Sequence, residues 1–138
     1  MTLHPITVET VVAAPIEKVW TYWNEPEHMV IWDTGSPDWH TPHVTNDLRV
    51  GGTFDVRMEA KDGSEAFNFI GTYTDIVMHE RIAYTIEDGR DVIVTFEIVG
   101  DSVRVREVFD PEDINSIELQ RQGWQGILDR FKKHVEQG

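Results

Sequence analysis

Between Thr53 and Phe109, apolar and polar residues alternate in short runs separated by glycine-bearing turns, the period of half-buried strands. Thr53–Ala60 puts Phe54, Val56 and Met58 on one face and Asp55, Arg57 and Glu59 on the other. Lys61-Asp62-Gly63-Ser64 follows, and Asp-Gly suits a type I′ hairpin turn. With Asp62-Gly63 as a two-residue loop, Met58 faces Phe67, Val56 faces Phe69 and Phe54 covers Gly71. Apolar meets apolar along that face, so the register is self-consistent. Downstream, a three-residue loop Glu87-Asp88-Gly89 with Gly89 left-handed keeps Ile82 and Tyr84 on the inner face. A Gly100-Asp101 loop pairs Ile98 with Val103 and Phe96 with Val105, and sets Glu97 against Arg104 and Thr95 against Arg106 on the outer face. The next inner pair is Val94 with Glu107, a carboxylate where the pattern asks for an apolar side chain. Three linked hairpins make an antiparallel meander.

The flanks are helical apart from one strand. Ile6–Ala13 alternates as a strand, with Ile6, Val8 and Thr10 on one side. Pro15 suits the first position of a helix whose apolar face is Ile16, Val19, Trp20 and Trp23. Pro26 opens a second short helix with Met29, Val30 and Trp32 inward, Gly35, Pro37 and Pro42 then break regular structure, and from Val44 onward the pattern becomes that of strands, punctuated by Gly51-Gly52. At the C-terminus, Ile117, Trp124, Leu128, Phe131 and Val135 recur at spacings of seven, four, three and four, one stripe of a long helix from near Asn115 to near Val135. Asn115 with Glu118 fits a capping box. Gly123 and Gly126 interrupt the helix at about 1 kcal/mol each against Ala, which points to close packing or to space kept beside Trp124.

A chain of 138 residues fits one domain, residues 1–138, with a core large enough to need no staple. Twelve Lys+Arg against 25 Asp+Glu leave a net charge of −13, with no basic cluster to meet nucleic-acid phosphates or an anionic membrane surface. Zero Cys removes disulfides, thiolate metal sites and thiol nucleophiles. No apolar run is long enough to span a membrane, and Met1-Thr-Leu-His-Pro-Ile has no signal-peptide character, so a cytoplasmic location is expected.

The order of elements, together with Ala14-Pro15-Ile16-Glu17-Lys18-Val19-Trp20, Val50-Gly51-Gly52-Thr53-Phe54, Gly71-Thr72-Tyr73 and Gly123-Trp124, resembles the SRPBCC or START-like superfamily, the Bet v 1-like helix-grip fold. Within it the chain is similar to single-domain homologues of the activator of heat-shock-protein-90 ATPase. The resemblance implies an α+β fold: a curved antiparallel sheet wrapped around a long C-terminal helix, two short helices after the first strand, and an apolar cavity between sheet and helix. It brings no catalytic residues with it.

The residues themselves mark few other sites. His40-x-x-His43 with Asp38 offers three metal ligands in what reads as a loop, but no helix or Cys fixes their geometry, so a solvated loop is expected and no metal or cofactor. Ser36, Ser64, Ser102 and Ser116 fall at turns or a helix cap, without a nucleophile elbow. Gly51-Gly52 reads as a backbone bend and not as a phosphate loop. Arg57, Glu59, Glu97, Arg104 and Arg106 read as a solvated face. The cavity is expected to be lined by Trp20, Phe54, Val56, Phe69, Tyr73, Tyr84, Phe96, Trp124 and Leu128, with Phe67, Phe109 and Phe131 on the same side and Phe54 and Trp124 meeting across it. Glu107 is expected among them, partnered, protonated or wet, and is the one candidate acid–base group.

Three functions compete. A hydrophobic cavity for a lipid-like, aromatic or polyketide-like molecule is the leading one. A cyclase-, aromatase- or hydrolase-like enzyme would use the same cavity and should bring two titratable groups together there. A chaperone partner should instead show an apolar patch outside the cavity; 138 residues leave no room for the additional N-terminal domain through which the full eukaryotic activator contacts its chaperone.

Overall fold

One curled sheet carries every strand among the described residues, in the order β1-β7-β6-β5-β4-β3-β2 with all neighbours antiparallel. In chain order the elements are β1 (Ile6–Val12), α1 (Ile16–Asn24), α2 (Pro26–Trp32), β2 (Trp39–Asn46), β3 (Thr53–Ala60), β4 (Ala66–Val77), β5 (Arg81–Ile86), β6 (Asp91–Val99), β7 (Ser102–Phe109) and α3 (Ile117–Gln137). This computed structural model describes residues 4–34 and 36–138; Gly35, expected as a chain break, and residues 1–3 lie outside the described residues. The architecture is the expected helix-grip arrangement. No helix among the described residues is long and apolar enough to cross a membrane.

Every expected hairpin register is observed: Met58 opposite Phe67, Phe54 opposite Gly71, Phe96 opposite Val105 and Val94 opposite Glu107. The Asp62-Gly63 turn is of a different type. Among the described residues only His79 combines a side chain with positive φ, so Asp62 is not left-handed and the turn is not type I′. Instead the Gly63 N–H donates to the Ala60 carbonyl at 2.9 Å, and Gly63 alone takes φ +78°. The strand pairing survives because Ala60 N–H still reaches the Glu65 carbonyl.

Two elements depart from the pattern. Pro42 does not break regular structure; it lies within β2, at a register irregularity between His40 and His43. β2 is an edge strand, where a missing N–H is tolerated. The N-cap of α3 is Ser116, not Asn115. The Ser116 Oγ accepts from the Leu119 N–H at 3.1 Å, while Glu118 pairs with Arg121. Buried Gln120 clasps the preceding linker, its Nε2 donating to the Glu112 and Asn115 carbonyls and its Oε1 accepting the Glu112 N–H.

The position of α3 decides the shape of the interior. Its polar side chains partner three backbone groups along the open edge of β1: Gln125 Nε2 donates to the Glu9 carbonyl, Lys132 Nζ to the Val11 carbonyl, and Glu136 accepts the Ala13 N–H just past the strand. Covering an edge this way removes unpaired backbone groups that would otherwise template aggregation. On its inner side Leu128, Phe131 and Val135 are fully buried. Phe131 makes edge contacts with Trp23 of α1 and Trp32 of α2, both at 4.9 Å. The C-terminal half of the helix is therefore pressed into the core, and the N-terminal half, where Trp124 and Ile127 are only half-buried, bridges over the concave face of β3–β5.

The capping assignment is testable. Ser116→Ala should cost about 1 kcal/mol of stability, and Asn115→Ala, whose side chain caps nothing, should be close to neutral in the same denaturant titration. A Cβ on Gly71 would lie 2.4 Å from Phe54 Cε2. Gly71→Ala should therefore cost about 1–3 kcal/mol through overpacking, and much less in a Phe54→Leu background.

Candidate functional site: an apolar cavity with two carboxyls

Under the raised half of α3 lies a cavity of about 290 Å³, at the lower end of the roughly 300–1,000 Å³ typical of small-molecule sites. β3 contributes Phe54 and Met58, β4 contributes Phe67, Phe69 and Tyr73, and β5 contributes Ile82 and Tyr84. The helical side supplies Trp23, Met29 and Trp32 from α1 and α2, and Gly123, Trp124 and Ile127 from α3. Its mouth lies between the start of β4 and the first half of α3, where Phe67 is 46% exposed and Gly123 is exposed. A Cβ on Gly123 would meet nothing within 4 Å. Space is kept beside Trp124 by the absence of a side chain there.

Of the residues expected to line the cavity, Phe54, Phe69, Tyr73, Tyr84, Glu107 and Trp124 do so, and Trp20, Val56, Phe96 and Leu128 do not. The four exceptions lie on the inner face but are covered by other side chains. Trp20 packs edge-on against Phe96 at 5.2 Å and against His79 at 5.8 Å, closing the α1 end of the sheet. Val56 and Leu128 are fully buried core. Trp124 and Phe54 both border the cavity, without a ring contact between them. Trp124 stacks on Phe109 at 3.8 Å, Phe54 sits edge-on to Tyr84 at 4.8 Å, and Phe69 lies between them with edge and tilted contacts to each.

The polar groups of the cavity are Glu107, Asp33, Tyr84, Tyr73 and Arg90. Glu107 projects from β7 with Val8 and Val94 as its strand neighbours and is 5% exposed. Arg104 is engaged with Glu97, and Arg106 with Glu9, on the opposite face. Asp33 is the C-cap of α2. Its N–H donates to the Met29 carbonyl at 2.9 Å, and its carbonyl accepts Thr41 Oγ1 from β2 at 2.6 Å, so the backbone that carries the carboxyl is held on both sides. No described residue donates a hydrogen bond to either carboxyl. Thr34 Oγ1 is the one fully occluded side-chain polar atom without a partner among the described residues, so the oxygens of Glu107 and the Tyr84 hydroxyl open onto cavity space.

Both acids are held toward their neutral form. Burial pushes the Glu107 pKa up to about 8, with the charge of Asp33 adding to it. Desolvation alone takes Asp33 to about 7, although the residue as a whole is only half-buried. Tyr84 is raised well above its ordinary value by burial first and then by Glu107 and Asp33. Tyr73 is also raised by burial, against a hydrogen bond that pulls the other way: its hydroxyl donates to Asn46 Oδ1 at 2.6 Å. Asn46 in turn donates to the Asn24 carbonyl, and Asn24 to the Trp20 carbonyl, tying β4 through β2 to α1. Of the two tyrosines, only Tyr84 has a hydroxyl open to a ligand. Arg90 sits beside its own counter-ion, with Nε bonded to both Asp88 oxygens at 2.9 and 3.1 Å.

Asp33, Arg90, Trp23 and Trp32 were not expected at the cavity. The amphipathic pattern put the two tryptophans inward, but nothing local shows that the end of α2 swings over the sheet and carries Asp33 with it. Asp38, His40 and His43 do not converge. His40 instead reaches Glu59 at 3.6 Å, and the described trio with ligand atoms within 4.8 Å of one another is the surface group Glu25, Glu27 and His28.

A small antiparallel sheet curled round one long helix, with an apolar cavity between them, defines a helix-grip protein of the SRPBCC class. The family model described as "Activator of Hsp90 ATPase homolog 1-like protein" matches residues 13–136, and the chain belongs to that family. Its fold is shared with an AHSA1-like protein from Aeromonas hydrophila, at 42% identity and TM-score 0.90 over 96% of this chain and 92% of that one. A protein from Cytophaga hutchinsonii is 51% identical at TM-score 0.85, with the same coverage. A protein from Chromobacterium violaceum, at 24% identity and TM-score 0.86 over 96% and 97% of the two chains, shares the fold. No functionally curated protein matches the chain.

The carboxyl environment makes a signed prediction. An acid whose folded pKa lies above its unfolded value holds a proton in the folded state that the unfolded chain has lost, so stability falls as pH rises between the two values. For Glu107 that window runs from 4.5 to about 8. Glu107→Gln should match the wild type in melting temperature near pH 4.5 and exceed it by several degrees above pH 8. Equal melting curves at both ends would show that the carboxylate is solvated or paired.

Proposed function

We propose that this protein binds a small, mainly apolar molecule in the cavity beneath α3. The observation that carries the reading is the lining itself: a wall of aromatic and aliphatic side chains with a few unpartnered oxygens facing into it. A cavity meant only as core would be filled, because a void forfeits packing at about 24 cal/mol per Å³. Here three tryptophans, two tyrosines and a glycine of α3 border space that no side chain occupies.

An enzymatic reading has one specific support. Asp33 and Glu107 face the same cavity with pKa values of about 7 and about 8, the range in which a carboxyl can both give and take a proton near neutrality. The exposed apolar side chains favour neither reading. They include Ile31 on α2, Met78 in the β4–β5 turn, Ile98 and Val99 at the end of β6, and Ile114, Ile117 and Leu119 around the start of α3.

Native mass spectrometry of protein purified from its own host should show a bound species in addition to the apoprotein. Gly123→Leu should abolish that species while leaving melting temperature equal or higher, because the change adds helix propensity of up to about 1 kcal/mol and grows into open space at the mouth. A preparation that is wholly apo, or a Gly123→Leu variant that keeps its occupant, would refute the cavity assignment. If the occupant is converted on incubation and Glu107→Gln keeps it bound but unconverted, the enzymatic reading holds.

A further inference from the structure

We propose, resting on the reading that the cavity binds a ligand, that the ligand is an apolar molecule carrying a basic nitrogen, held as a cation by the carboxyls of Asp33 and Glu107. The inventory of polar groups makes the case. Two acids face the cavity without a hydrogen-bond donor from any described residue, and a ligand that brings N–H donors would satisfy them. Tyr73 has already spent its hydroxyl proton on Asn46. Arg90, the one basic group at the wall, is locally neutralised by Asp88. The charge that the site can develop is thus negative, and an anionic ligand would meet both carboxyls without compensation.

The apolar part of the wall suits the same guest. Trp23, Trp32, Trp124 and Phe54 border the space, and an ammonium group is attracted to aromatic rings as well as to carboxylates. A neutral guest would leave both acids protonated and use little of what distinguishes this cavity from a plain apolar one. The chain's net charge of −13 draws cations toward the molecule from a distance. A bound cation also favours the ionised carboxyls, so its binding should expel protons that the buried acids hold in the free protein.

Phenylbutylamine, phenylbutanol and phenylbutyrate present the same apolar body with a cationic, a neutral and an anionic end. Titration of each into the protein at neutral pH, followed by amide NMR shifts and by calorimetry in two buffers of different ionisation enthalpy, tests the inference. The amine should bind at least roughly tenfold tighter than the alcohol and release protons on binding. Glu107→Gln and Asp33→Asn should each erase most of that advantage while leaving the alcohol's affinity within about twofold; should one variant not fold, the other carries the comparison. If the alcohol or the acid binds as well as the amine, or the amine's advantage survives in both variants, the ligand class is wrong while the cavity reading stands. If none of the three shifts a resonance of a cavity residue, the cavity reading itself falls, and this inference with it.

Discussion

Helix α3 is fastened along one edge of the sheet, and the interior follows from that attachment. The hydrogen bonds of Gln125, Lys132 and Glu136 to the β1 backbone place the helix over the β1–β7 side. Phe131, held by Trp23 and Trp32, presses its C-terminal half into the core. A helix fixed at that edge cannot also seal β3, β4 and β5, whose curl carries their inner face away from it. The remaining space is bordered by Phe54, Phe69 and Tyr84 on the sheet and by Trp124 on the helix. Close packing elsewhere is what keeps this space open: Val56, Val94, Val105 and Leu128 leave no slack for the helix to settle further.

Two uncompensated carboxyls in such a space run against stability. A buried carboxyl without donors can stay neutral, and the raised pKa values of Asp33 and Glu107 express that choice. Simple replacement by amides or apolar groups would make the fold more stable, which marks these positions as places where stability is given up. The arrangement of Asp33 is deliberate in a structural sense. Its carbonyl and N–H are both engaged, by Thr41 of β2 and by Met29 of α2, so the carboxyl is delivered by a rigid backbone.

Much of the fold was legible because the hairpins carry their own register. Gly89 and Gly100 take positive φ where the alternation required turns, and counting back from Gly100-Asp101 places Glu107 opposite Val94, inside the sheet, as observed. The resemblance to the helix-grip superfamily added the position of the long helix, which the residue pattern alone does not give. The site was only half legible. Strand periodicity says which face a side chain takes but not what covers it, so Val56 and Phe96 were grouped with Phe54 and Tyr84 although α1 and the core cover the former pair. Asp33 had no such periodicity to betray it: it follows an apolar helix end, and only the docking of α2 onto β2 turns its carboxyl inward. Pro42 concealed the first half of β2 for a related reason, since a bulge on an edge strand suspends the alternation by which strands are read, and the strand pattern shows only from Val44.

The central claim is that Glu107 and Asp33 stand in the cavity as acids with no partner among the described residues. Carbon-detected NMR titration of the side-chain carboxyls reads this directly, residue by residue. The account predicts midpoints near 8 for Glu107 and near 7 for Asp33, with that of Glu107 falling when Asp33 is replaced by its amide. Midpoints close to the ordinary carboxylate values, about 4.3 and about 3.9, with no coupling between the two, would contradict it.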